Sequence, residues 1–148
     1  MILVDTGALY ALTDRADVHH ADAARFYRSV AGREHLALTL PVLTEAYLLL
    51  EARLGSAAAR RVWDAVNGGA FEVVDLTRRD LVLAREIEER YADAGLGFVD
   101  ATCLALCERL SLRRVFTYDR KHFGLYRPSF CPALELLHRD LRAKAEEF

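Results

Sequence analysis

Ile2-Leu3-Val4-Asp5-Thr6-Gly7 reads as a short apolar strand closed by a carboxylate and a turn. Its three apolar residues show no polar alternation, the pattern of a strand covered on both faces. Outward from this unit, strands and helices alternate. A helical stretch follows Gly7, and another runs from about His20 to Val30, with Ala23, Phe26, Tyr27 and Val30 on one face. Leu36-Ala37-Leu38 is a second strand. Pro41 sits where proline is tolerated, in the first turn of a helix running to about Leu54, and Gly55 stops it. Ser56 caps a helix through Val66, ended by Asn67-Gly68-Gly69. Phe71-Glu72-Val73-Val74 is a third strand, and Thr77 with Asp80 has the spacing of a capping box opening a helix to about Asp93. Phe98 to Leu110 is a further helix and Arg114-Val115-Phe116-Thr117 a fourth strand. Residues 125–137 carry no clear pattern, and 140–147 read as a terminal helix. Strands separated by helices make βαβ units. The expected fold is therefore α/β, a short and mainly parallel sheet between helical layers, within one domain spanning 1–148.

Composition narrows the function. With 53% hydrophobic and 28% charged residues in 148, the chain can bury a core without disulfides or a structural metal. A net charge of −2 argues against coating nucleic acid by bulk charge. It leaves room for an enzyme that holds a phosphodiester through bound cations. Three cysteines without framework spacing point to a reducing, cytoplasmic setting. No signal peptide is expected, because Asp5 interrupts the first apolar run, and the apolar stretch 46–50 is too short for a membrane span. Neither a Walker loop nor a Gly-x-Gly-x-x-Gly fingerprint is present, and no serine has the glycines of a nucleophile elbow.

In parallel sheets ligands bind beyond the carboxyl ends of the strands. Asp5 follows the first strand and Asp119 the fourth. Glu45 falls in the first turns of the helix after the second strand, which starts at the same edge. Asp100 joins them if its own helix begins there. Converging carboxylates repel one another and partly protonate unless a cation sits among them. Mg²⁺ or Mn²⁺ suits carboxylates and water without histidine or thiolate, and can activate a water and stabilise a departing alkoxide. Taken singly, each acid has a plainer reading: a dipole partner in a first helical turn, or a turn residue after a strand.

The stretches Ile2-Leu-Val-Asp5-Thr-Gly, Pro41-Val-Leu-Thr-Glu45-Ala, Phe98-Val-Asp100-Ala and Phe116-Thr-Tyr-Asp119-Arg-Lys-His-Phe123 together resemble the motifs of the PIN-domain family. In length and order they resemble its VapC-type toxins, ribonucleases of toxin–antitoxin pairs. The resemblance covers nearly the whole chain, in the family's order and spacing. It implies a PIN-like three-layer fold and a Mg²⁺- or Mn²⁺-dependent endoribonuclease with Asp5, Glu45, Asp100 and Asp119 as its catalytic, metal-binding acids. Thr6 and Thr117 match hydroxyl positions that orient a carboxylate or a metal-bound water, and Asp93 matches a further supporting acid. Gly97 departs from the pattern, standing where many relatives have a hydroxyl residue. The resemblance further implies an RNA substrate, a cognate antitoxin whose tail crosses the acidic pocket, and a homodimer.

Other residues divide between function and scaffold. Arg120 and Lys121 directly follow Asp119 and are the favoured RNA-backbone contacts, ahead of Arg113 and Arg114. His122 reads as a scaffold position before Phe123. His19 and His20 read as a solvated loop, and Cys103 and Cys107 as small buried hydrophobes. Tyr47, Leu48, Leu50, Leu54 and the large apolar groups of the Trp63-bearing helix read mostly as core, with a dimer face or antitoxin groove as the alternative that the resemblance implies. Two rival functions remain: a PIN-like RNA-binding or regulatory module without catalysis, and a phosphoryl-transfer protein using Asp5 as nucleophile. The second needs a lysine near the phosphoryl group, and Lys121 and Lys144 are the only two.

Overall fold

In a computed structural model, residues 1–138 are described, and the expected helix at 140–147 lies outside them. β1 (Ile2–Val4) is covered on both faces, with no residue more than 1% exposed, as its unbroken apolar run requires. It lies at the centre of a five-stranded sheet. β2 (Leu36–Leu38) pairs on one side and β4 (Arg114–Phe116) on the other, with β3 (Glu72–Val73) beyond β2 and β5 (Glu135–Leu136) beyond β4. Every pairing is parallel; Leu3 stands opposite both Ala37 and Val115. The fifth strand falls within the patternless stretch 125–137, where a two-residue edge strand leaves no periodicity to read.

The crossovers are α1 (Thr6–Thr13) and α2 (His20–Val30), α3 (Leu40–Leu54) and α4 (Ser56–Asn67), and α5 (Arg78–Arg90) and α6 (Phe98–Leu110). A 3-10 turn, Ala92–Ala94, separates the last two, and α7 (Arg120–Leu125) follows β4. Polar residues at the strand ends begin several of these helices. Thr39 accepts from the Val42 amide at the start of α3, and Thr77 and Asp80 form the complete capping box expected for α5. Asp80 is also held by Arg109 of α6, whose Nε lies 2.9 Å from its carboxylate. Among the described residues, no helix is long and apolar enough to cross a membrane.

Two expectations change. In α3, Val42, Ala46 and Leu50 are fully buried and Leu43, Tyr47 and Leu49 pack against the core, but Leu48 and Leu54 are exposed at 57% and 44%, as is Trp63 of α4 at 53%. At 3.6 residues per turn, a helix with one buried stripe turns position 48 away from it. His19 and His20 are not a solvated loop: His19 stacks on Tyr118 at 4.0 Å, and the His20 ring bonds the Ala11 carbonyl at 2.7 Å. Cys103 and Cys107 are fully buried, as expected.

Candidate active site

The strand order reverses direction at β1, so the carboxyl ends of β1 and β4 flank a crevice. Asp5 and Asp119 stand at these two ends, and each caps the helix that follows. Asp5 Oδ1 accepts from the Ala8 amide at 2.9 Å, opening α1, and Asp119 Oδ1 accepts from the His122 amide at 3.0 Å, opening α7. A carboxylate in this position is favoured by the amide dipoles of the helix start.

Thr117 joins the two acids. Its hydroxyl donates to Asp5 Oδ2, while its oxygen accepts the Asp119 amide at 2.9 Å. Thr117 is completely buried, so one side chain fixes the orientation of one acid and the backbone of the other. Asp100, in the first turn of α6, comes to the same edge. Its carboxylate, that of Asp119 and the His122 ring place ligand atoms all within 4.8 Å of one another.

The electrostatics express this crowding. Asp5 is only 4% exposed, and burial pushes its carboxyl up to about 7. The Thr117 and Ala8 hydrogen bonds oppose the rise, and the charges of Asp100 and Asp119 add to it. Burial likewise lifts Asp100 to about 6, helped by Asp119 and Glu45 and opposed by His122. Glu45 therefore acts on Asp100 through space, from an exposed position in α3. It borders an apolar groove shared with Leu40, Leu48, Phe98 and Val99.

The remaining expected residues fall into place unevenly. Thr6, in the first turn of α1, is 9% exposed, and its hydroxyl oxygen is buried with no hydrogen-bond partner. Asp93 is exposed on the 3-10 turn and makes no hydrogen bond or ion pair among the described residues. That turn contributes backbone instead: the Ala94 carbonyl lies 3.0 Å from His122 Nε2. Arg120 and Lys121 are exposed at the start of α7, next to Asp119 in the chain.

His122 is the residue that sequence reasoning undervalued. Its Nδ1 lies 2.7 Å from Asp119 Oδ2 and 3.7 Å from Asp100 Oδ2. The Asp119 hydrogen bond, foremost among several causes, holds the imidazole above its ordinary range. A site of carboxylates alone was expected, and the geometry places a ring nitrogen among them. The only signal in the sequence is the three-residue step from Asp119, which a helix start turns into proximity.

The donor set fits a hard divalent cation. It offers several carboxylates at one edge, two of them with proton affinity raised by burial and by their like-charged neighbours, near a buried hydroxyl without a partner. Among the described residues, Asp100 and Asp119 with His122 form the group close enough to share one ion, while the expected Asp5 and Glu45 lie outside that group and act on it through their charge.

The chain is similar to several known proteins. The family model of the PIN domain matches residues 2–127. Ribonuclease VapC26 of Mycobacterium tuberculosis is 32% identical over 127 residues, covering 86% of this chain and 93% of its own. Among solved structures, M. tuberculosis VapC20, described as a Sarcin-Ricin loop cleaving toxin, superposes with a TM-score of 0.77 at 25% identity, covering 84% of this chain and 94% of its own. A toxin-antitoxin complex from Klebsiella pneumoniae shares the fold at 0.63 and 18% identity, over 84% and 92% of the two chains.

Proposed function

The chain belongs to the PIN domain family, and from that premise we propose that it is a metal-dependent endoribonuclease, the toxin of a type II toxin–antitoxin pair. The observation that carries the reading is the grouping of Asp100 and Asp119 with His122, their ligand atoms within 4.8 Å, beside a buried Asp5 that feels the charge of both acids; the Asp5 and Asp100 carboxyls are held well above the ordinary range. Such a cluster is costly without a cation and becomes useful with one. Mg²⁺ or Mn²⁺ is the ion of choice for oxygen donors. When bound, it supplies an activated water and neutralises charge on the phosphoryl group.

The chain's own residues do the rest. Asp5, Glu45, Asp100 and Asp119 hold the ion and set where the phosphodiester lies. Thr117 keeps Asp5 and the Asp119 backbone in register. Thr6 offers its unpartnered hydroxyl to a water at the site. Asp93 supports through the turn to which it belongs rather than through its carboxylate. Arg120 and Lys121 grip the RNA backbone beside the cut, which an acidic protein cannot do by overall charge. The substrate is single-stranded or loop RNA, whose splayed strand can reach acids set in a crevice. The loop-cleaving activity named for the VapC20 relative supports that choice.

The relatives' names also support control by an antitoxin, whose basic side chain would balance the carboxylates as a metal does. The protein acts as one catalytic domain in a cytoplasmic homodimer. A non-catalytic RNA-binding module is the rival, and the four intact acids weigh against it.

The test is cleavage of a mixed pool of structured and single-stranded RNA with Mg²⁺ or Mn²⁺, with EDTA, and with Asp5→Asn. Metal-dependent cutting that vanishes in the variant is expected. Full activity in EDTA or in the folded variant would overturn the reading. Failure of Mn²⁺ to bind at millimolar concentration would favour the module.

A further inference from the structure

The turn 117–119, which links β4 to α7, is gripped from two sides. Thr117 reaches Asp5, and Tyr118 reaches the first turn of α2. The Tyr118 ring lies flat on His19, with centroids 4.0 Å apart and planes 7° from parallel, and its hydroxyl donates to Asp22 Oδ2 at 2.6 Å. His138, just beyond β5, brings its Nδ1 within 2.7 Å of the same carboxylate oxygen. Its ring packs against Phe26 of α2 and Phe116 of β4, at 4.4 and 5.0 Å. The Asp22 carboxylate therefore joins α2, the residues after β5 and the turn that carries Asp119. An acid in the first turn of a helix is ordinarily a partner of the helix dipole. That role asks for no donor from elsewhere in the chain, whereas Asp22 receives one from a residue 96 positions away. Burial, with the Asp22 bond, also holds the Tyr118 phenol well above its ordinary range, so the hydroxyl stays a donor.

We propose that Asp22 is a positioning residue for the catalytic acids: by holding the Tyr118 hydroxyl it fixes the 117–119 turn, and so the direction in which Asp119 is presented. The inference rests on the metal-dependent reading above and names a residue that acts through Tyr118 rather than on RNA or metal. Its route is short. Tyr118 is joined in the chain to both Thr117 and Asp119. The Thr117 hydroxyl orients Asp5 and its oxygen takes the Asp119 amide at 2.9 Å, while Asp119 opens α7 by accepting the His122 amide at 3.0 Å. Loosening Tyr118 lets these bonds shift together. A displacement of about 1 Å at reacting groups costs roughly a hundredfold in rate, so even a partial loosening is visible in kcat.

Asp22→Ala and Tyr118→Phe each remove the bond, and Tyr118→Phe keeps the ring on His19. Hydrogen exchange of the Asp119 and His122 amides, followed by NMR in EDTA, reads the turn directly. Both amides should exchange about tenfold or more faster in the two variants than in wild type. By calorimetry, Mn²⁺ affinity should fall roughly tenfold in both, the scale of loss when a group behind the metal ligands is removed. RNA cleavage should lose kcat with little change in KM. The double variant should be no worse than either single one, because both remove the same interaction. Asp22→Asn retains an acceptor oxygen and should recover most of these losses. Arg109→Leu, at the other end of α6, controls for lost stability and should leave Mn²⁺ affinity unchanged. Unchanged exchange and Mn²⁺ affinity in Asp22→Ala and Tyr118→Phe overturn the inference, as do effects of the two that add. Losses of equal size in Asp22→Asn or in Arg109→Leu overturn it as well. A wild type that binds no Mn²⁺ overturns the metal-dependent reading; one that binds it, with both variants binding as tightly, overturns this inference alone.

Discussion

Removing the charge of Asp5 should make the metal-free protein more stable at alkaline pH while abolishing its chemistry. The Asp5 carboxyl is raised from 3.8 to about 7, chiefly by burial, so between these values the folded chain holds a proton that the unfolded chain has released. The stability contributed by the protonated form is complete below the ordinary carboxylate range, declines as pH rises, and is gone above about 7. Each tenfold change in proton affinity corresponds to about 1.4 kcal/mol, so keeping Asp5 ionised at pH 8 costs on the order of 4 kcal/mol. Asp5→Asn removes that cost. Its amide oxygen can still accept from the Ala8 amide, but the Thr117 hydroxyl loses a charged acceptor, a loss of about 1–2 kcal/mol. The net gain is then about 2–3 kcal/mol, or ~5–10 °C in Tm for a chain of this size. The assay is thermal unfolding followed by circular dichroism, in EDTA, at pH 8 and pH 5. At pH 5 most of the wild-type carboxyl is protonated, and the two proteins should melt within a few degrees of each other. A variant that melts lower than wild type at pH 8, or by the same margin at both pH values, would refute the argument.

Thr117→Val should leave the fold but disorder the site, because Asp5 loses its donor and the Asp119 amide its acceptor. We expect destabilisation of about 1–3 kcal/mol by urea titration, and a fall in kcat larger than any change in KM. Arg109→Leu should strip the buried Asp80 carboxylate of its partner, lowering stability by about 2–4 kcal/mol in the same titration without changing metal affinity; no change would mean the pair is idle. Lys121→Ala should weaken RNA binding across all sequences and reduce the slope of log affinity against log salt by about 1, as measured with an uncleaved RNA in EDTA; an unchanged slope would remove Lys121 from the interface.

Much of this fold was legible because its signals are local. The Ile2-Leu3-Val4 run, the Thr77–Asp80 capping box and the Gly55 stop each depend on a few neighbouring residues, and each appears where periodicity and caps place it. The edge strand Glu135–Leu136 and the short helix Arg120–Leu125 were not legible, since two residues and six carry too little period to separate from a loop. The expected acids could be listed from motifs, but their convergence depends on where α6 begins relative to the sheet, a tertiary fact. His122 passed for scaffold because its significance lies in the Ala94 carbonyl, 28 residues earlier in the chain. The exposure of Leu48 and Trp63 was equally hidden, for hydropathy does not tell which side of α3 and α4 meets the core.

The most direct test of the central claim compares RNA cleavage by wild type with that by Asp5→Asn, Glu45→Gln, Asp100→Asn and Asp119→Asn, each with Mn²⁺ and with EDTA, after circular dichroism has established that each variant is folded. If the four acids act together on one ion, each substitution should lower the rate by roughly a hundredfold or more, and EDTA should silence wild type. A folded variant that cuts RNA at the wild-type rate, or wild-type cutting that persists in EDTA, would contradict the account.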